Sequence, residues 1–140
     1  MKILVPVDGS DFTKRMLAYL AAHDEWLGDR HEYTIMNVTP AVPPRAAAAL
    51  DKAVVKAHYD DAAEKVFKPI RTFFSRHGMK CRFLAKVGPA GDLIADAANK
   101  GGYDLIIMGS HGQGSLVKLV MGSVTTKVMA HTTVPVLVVR

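Results

Sequence analysis

Asp104-Leu-Ile-Ile-Met-Gly-Ser-His-Gly112, then nine residues, then Gly122-Ser123, decides how this chain is read. Leu105 to Met108 is apolar on both faces, as a strand covered by helices on each side must be. It empties directly into Gly109, and glycine lets a backbone N–H approach a ligand with no side chain in the way. A buried strand opening into a glycine-spaced loop, with a hydroxyl residue at the next helix entrance, is one way to hold phosphate groups. In a second reading the glycines only turn the loop and permit tight packing, and the spacing alone leaves both open.

Similar runs recur on either side. Met1 to Val7 is another strand apolar on both faces, turned by Asp8-Gly9-Ser10 into a helix that Ser10 or Asp11 can cap and that extends to about Trp26. Tyr33 to Val38 is a second strand, ended by Thr39-Pro40, and Pro40 to Pro44 is a loop. A helical pattern runs from Ala46 to His77, with Pro69 predicting a kink or break near Lys68. Cys81 to Val87 is a third strand, Gly88 to Gly91 a turn, and Asp92 to Lys100 a short helix. Asp104 to Met108 and Pro135 to Val139 complete five strands, with a helix from Val120 to His131 between them. Strands alternating with helices predict an open, doubly wound five-stranded parallel α/β sheet, Rossmann-like in kind. Ligands of such sheets sit beyond the carboxyl ends of the strands, where Asp8 and Gly109 fall.

At 140 residues the chain fits one domain spanning 1–140, and 49% hydrophobic with 22% charged residues is a globular composition. No apolar run reaches the roughly 20 residues a bilayer requires, and Asp8 arrives too early for a signal-peptide core, so a cytoplasmic protein is expected. The lone Cys81 reads as strand filling in a reducing compartment. Net charge is +5, but the 18 basic residues are dispersed among acidic ones, so no specific nucleic-acid partner and no membrane are expected. His23, His31, His58, His77 and His131 lack zinc-ligand spacing and read as surface residues, and no metal site is expected. His111 stands apart because it lies between two motif glycines.

Two familiar phosphate motifs are excluded. The frame Gly109 to Gly114 is followed by Ser115-Leu116 instead of the Lys-Ser/Thr of a Walker A loop. A dinucleotide fingerprint fails because Val117 stands where a third glycine belongs and the first strand opens into Asp8-Gly9-Ser10.

Four segments in order, Val5-Pro-Val-Asp-Gly-Ser10, Asp104 to Gly112, Met121-Gly-Ser-Val124 and Val134-Pro-Val-Leu-Val-Val139, resemble the universal stress protein family along the whole chain. The spacing of Gly109, Gly112, Gly122 and Ser123 is similar to that of the family's ATP-binding branch. The resemblance implies that Pro6, Val7 and Asp8 border the adenosine, with Asp8 near the ribose or a phosphate-bound metal, and that Val38 offers backbone bonds to the adenine edge. It places Met108 and Gly109 along the base and ribose, and Gly112, Gly122, Ser123 and Val124 around the triphosphate. His111 is a further contact candidate, and Gln113 stands where family loops often carry a basic residue, leaving His111, Lys118 or Lys127 to compensate. The implied cofactor is ATP with Mg²⁺, and the implied partner is a second copy paired through Val134 to Val139. A nucleotide-responsive stress-response module is the favoured function. A slow ATPase or phosphotransfer enzyme, with catalytic residues unknown, and a nucleotide-free dimeric interaction protein are the alternatives.

Overall fold

The computed structural model describes residues 1–113 and 120–140. The elements run β1 (Lys2–Pro6), α1 (Asp11–Ala21), a 3-10 turn (Asp24–Trp26), β2 (Glu32–Thr39), α2 (Pro44–Ala49), α3 (Lys52–Arg76), β3 (Lys80–Val87), α4 (Ala90–Lys100), β4 (Leu105–Gly109), α5 (Ser123–His131) and β5 (Val136–Val139). The strands form one parallel sheet in the order β3-β2-β1-β4-β5. Leu4 is in register with Thr34 on one side and Ile106 on the other. The order reverses between β1 and β4, which is where a doubly wound sheet opens a crevice.

Alternation along the strands sorts the apolar residues into two cores. Ile3, Val5, Tyr33, Ile35 and Ile107 face Met16 and Leu20 of α1 and Phe67, Ile70 and Phe74 of α3. Leu4, Met36, Ile106 and Met108 face Ile94 and Ala98 of α4 and Val128 of α5. Burial on both faces explains why β1, β2 and β4 are nearly uninterrupted apolar runs. Helices α4 and α5 approach closely, since a Cβ on Gly91 would lie 2.9 Å from the Lys127 Cβ. Lys127 pairs with Asp92 at 2.9 Å, and the Asn99 amide donates to the His131 carbonyl at 2.9 Å.

Several helical expectations are corrected, among them the start of α4, which opens at Ala90 instead of Asp92, inside the expected Gly88–Gly91 turn. Helix α1 stops at Ala21, short of Trp26, because the Ala22 and His23 N–H groups tighten onto the Tyr19 and Leu20 carbonyls. The His23 ring also bonds the Tyr19 carbonyl at 2.7 Å. The long pattern divides before Lys52, where Leu50 is extended and Asp51 caps α3 by accepting from the Ala53 N–H. Helix α3 runs through Pro69 without a break; Pro69 and Lys65, whose carbonyl loses its donor, both lie on the exposed face, so that carbonyl is not buried unpaired. Helix α5 begins at Ser123 instead of Val120, because Gly122 is extended.

Candidate functional site

The carboxyl ends of β1, β2 and β4 meet α4 and α5 around a cleft that opens to solvent. Its floor comes from β1 and the turn after it. Val7 donates its N–H to the Met36 carbonyl at 2.8 Å, the last backbone bond reaching from this turn to β2. Gly9, at φ +76°, reverses the chain into α1, and the Ser10 hydroxyl accepts from the Thr13 N–H. Asp8 Oδ1 accepts from the Ser10 N–H at 2.9 Å and from the Thr13 hydroxyl at 3.0 Å.

Asp8 also reaches the glycine loop. Its Oδ2 accepts from the Gln113 N–H at 3.0 Å, and its backbone carbonyl accepts from Gln113 Nε2 at 2.7 Å. Close approach at Gly112 makes this possible, as a Cβ there would stand 2.7 Å from Oδ2. Gly109 ends β4 against α1, where a Cβ would meet the Phe12 Cβ at 2.8 Å.

His111 is buried at 8% exposure and packs its ring 4.9 Å from that of Phe12. Its Nε2–H donates to the Val120 carbonyl, so Nδ1 accepts from the Ser110 hydroxyl at 2.9 Å. The Gly122 N–H donates to the Ser110 carbonyl at 2.9 Å and closes the same loop base.

Apolar side chains make the opposite wall. Met36 and Val38 from β2, Met108 from β4, and Ala90 and Ile94 from α4 line it, with Val124 and Thr125 at the start of α5. The Thr125 hydroxyl donates to the Gly109 carbonyl at 2.9 Å and ties α5 to the end of β4. Along a strand, backbone groups alternate sides, so Val38 points the same way as Met36, toward ground that β1 has already left. Among the described lining residues Asp8 carries the only formal charge. Such an arrangement can hold a flat apolar group, offer it a strand-end backbone edge, and hydrogen-bond hydroxyls through a fixed carboxylate.

Of the residues singled out from sequence, Pro6, Val7, Asp8, Val38, Met108, Gly109, His111, Gly112 and Val124 line this one cleft. Gly122 and Ser123 do not line it; Gly122 sits behind His111, where a Cβ would stand 3.0 Å from the His111 Cα, and Ser123 is exposed at the helix start. Lys127 is engaged with Asp92, while Gly114, Ser115, Leu116, Val117 and Lys118 lie outside the described residues. Thr13, Met36, Ala90, Ile94 and Thr125 join the lining without having been picked out. Thr13, five residues after Asp8, and Thr125, two after Ser123, were the legible signals among them.

Elsewhere, Cys81 of β3 is half-buried, and that burial pushes its thiol up. No group of three or more His, Cys, Asp or Glu side chains placed to hold a metal occurs among the described residues. No helix among them is long and apolar enough to cross a membrane.

The same architecture occurs in solved structures. The protein MJ0577 of Methanocaldococcus jannaschii matches with a TM-score of 0.82 at 28% identity, covering 99% of this chain and 94% of that one. A universal stress protein family protein of Arabidopsis thaliana with AMP bound matches with a TM-score of 0.71 at 16% identity, covering 99% and 90%. In sequence, the universal stress protein MJ0531 of M. jannaschii is 28% identical over 142 residues, 99% of this chain and 81% of its own length. The description "Universal stress protein family" fits residues 1–140. With the sheet order, the glycine-bounded crevice and a match along its full length, the chain belongs to the universal stress protein family.

Proposed function

We propose that the cleft binds an adenine nucleotide and that occupancy, rather than turnover, is what the protein uses in a stress response. One observation carries the reading. The apolar slot of Met36, Val38, Ile94 and Met108 opens beside a strand-end backbone edge and faces a glycine approach at Gly109 and Gly112. A flat base fits the slot, a ribose falls near Asp8, and phosphates follow the glycines. The family relative with AMP bound supports the ligand class. ATP with Mg²⁺ is the occupant implied by the resemblance of the Gly109, Gly112, Gly122, Ser123 spacing to the family's ATP-binding branch, with Gly109 and Gly112 on the cleft lining and Gly122 behind His111. Asp8 is the carboxylate on the lining that could reach a phosphate-bound Mg²⁺, and the remaining metal ligands would come from phosphate and water.

Binding is favoured over hydrolysis because the polar groups nearest the loop are already engaged. Asp8 accepts from Ser10, Thr13 and Gln113, and both His111 ring nitrogens are bonded within the loop base. Hydrolysis needs a positioned base or water-orienting group in addition to a cradle.

The sheet edges support a second copy as partner. β3 carries Lys80, Arg82 and Lys86, the charges that blunt an edge, whereas β5 is Val-Leu-Val-Val with none. Pairing β5 to β5 across a two-fold axis would cover it.

The test is to denature protein purified without added nucleotide, look for released AMP, ADP or ATP by mass spectrometry, and titrate the apo protein with each nucleotide with and without Mg²⁺. Gly112→Ala, which drives a Cβ toward Asp8 Oδ2, is expected to weaken binding by about tenfold or more. Absence of both bound and titratable nucleotide refutes the proposal.

A further inference from the structure

The ladder between β1 and β2 ends half a rung early, and a side chain ends it. In a parallel pair each residue donates its N–H to the residue before its partner and accepts from the residue after it. Val7 follows Pro6, which is in register with Met36, so Val7 stands opposite Asn37. The first half of that rung is made, from the Val7 N–H to the Met36 carbonyl at 2.8 Å. The second half would run from the Val38 N–H to the Val7 carbonyl. That carbonyl instead accepts from Asn37 Nδ2 at 2.9 Å, in a buried bond.

Neighbouring groups hold this exchange in place. Asn37 is buried, and the Thr39 hydroxyl donates to its Oδ1 at 3.4 Å. A carbonyl only accepts, so the amide must turn Nδ2 toward Val7. At the other end of the same peptide group, the Asp8 N–H donates to the Thr13 hydroxyl at 3.2 Å. The Val7–Asp8 peptide is thereby pinned between β2 and α1. Val38 lines the cleft, and its N–H and C=O point together toward the ground that β1 has left. A donor and an acceptor side by side match the ring nitrogen and the amino group on one edge of adenine.

Given the adenine-nucleotide reading above, on which this inference rests, we propose that Asn37 is a positioning residue: by capping the Val7 carbonyl it keeps the Val38 N–H out of the sheet and open to the ring-nitrogen acceptor of the base. Asn37→Leu keeps the approximate shape of the side chain and removes the donor. The Val7 carbonyl is then left to take the Val38 N–H and complete the rung. One partner replaces another at that carbonyl, so the fold loses little and the ligand loses its donor.

Amide exchange followed by NMR reads the Val38 N–H directly. In the ligand-free wild type, Val38 is expected to exchange at least about a hundredfold faster than Met36, whose N–H is held in the ladder, and AMP is expected to slow it by about tenfold or more. In ligand-free Asn37→Leu the gap between the two amides is expected to fall below about tenfold. Calorimetry then compares AMP with its 1-deaza analogue, in which a C–H replaces the ring-nitrogen acceptor. The wild type is expected to prefer AMP by about fivefold or more and Asn37→Leu by less than about twofold, through loss of AMP affinity alone. Equal weakening of both ligands overturns the inference, because that is what a merely structural role produces. So does a wild-type Val38 amide as protected as Met36, or one that stays unprotected in Asn37→Leu. The wild-type series needs no variant to fold, and Asn37→Ala repeats the comparison if Asn37→Leu does not fold. AMP that binds without slowing Val38 exchange overturns this inference alone. AMP that fails to bind at about millimolar concentration refutes the adenine-nucleotide reading, and the base-reading role of Asn37 with it.

Discussion

The bond from Thr125 to Gly109 joins two walls of the cleft and allows a polar contribution to be separated from packing. Thr125 is 2% exposed, and its hydroxyl donates at 2.9 Å to a carbonyl at the end of β4. Thr125→Val keeps the shape and helix propensity of the side chain and removes the donor, so the expected cost is that of a buried carbonyl left unsatisfied, about 1–3 kcal/mol. Thr125→Ser keeps the donor and removes a methyl, which costs about 1 kcal/mol. For a chain of this length, 1 kcal/mol corresponds to about 3 °C in Tm, so the valine variant should melt about 3–10 °C lower and the serine variant about 3 °C lower. Urea denaturation of wild type and both variants measures this, with the slope against urea checked for constancy. If Thr125→Val is as stable as wild type, or if Thr125→Ser is the weaker of the two, the bond does not carry the contact and the account of how α5 is held to β4 is wrong.

Burial pushes the Tyr33 hydroxyl from 10.0 up to about 12. A folded value above the unfolded one makes its contribution complete below pH 10 and lost as pH climbs through about 12, so stability should fall across that window and Tyr33→Phe should flatten the slope. The same substitution removes the bond from the Tyr33 hydroxyl to the Trp26 carbonyl, at 2.6 Å, and should cost about 1 kcal/mol at neutral pH. Asp51→Ala, which strips the cap from α3, should lower stability by about 1 kcal/mol in urea titration, and Asp51→Asn should restore most of it. On the β5 edge, Val138→Lys should convert a wild-type dimer to monomer in light scattering at about micromolar concentration; a monomeric wild type would refute β5 pairing.

Legibility followed from how local each signal is. Strands buried on both faces announce themselves as apolar runs, which is why β1, β2 and β4 were read to within a residue or two. The break at Leu50-Asp51 was hidden because Ala46 to Ala49 continues the helical composition of α3, while Pro69, the conspicuous breaker, stands on the exposed face, where its missing bond matters little. In the cleft, Asp8, Gly109 and Gly112 were legible because turns and close approaches demand particular residues. Met36 and Ile94 were not, since an apolar residue looks alike whether it lines a cleft or a core, and only the crossing of α4 over β1 and β2 exposes them to it. The role of Gln113 depends on a partner 105 positions away, which no local spacing encodes.

The strand order carries a consequence for synthesis. Residues 1–87 complete β3-β2-β1 and the two helices on one face, so half of the sheet can assemble before β4 has left the ribosome. During that interval Ile3 and Leu4, on the side of β1 that later pairs with Leu105 and Ile106, remain an open strand edge lined by fully buried residue types. The nascent chain is therefore most vulnerable to mispairing in the seconds before Leu105–Gly109 emerges, and slowing of translation there should lower soluble yield more than slowing anywhere after it.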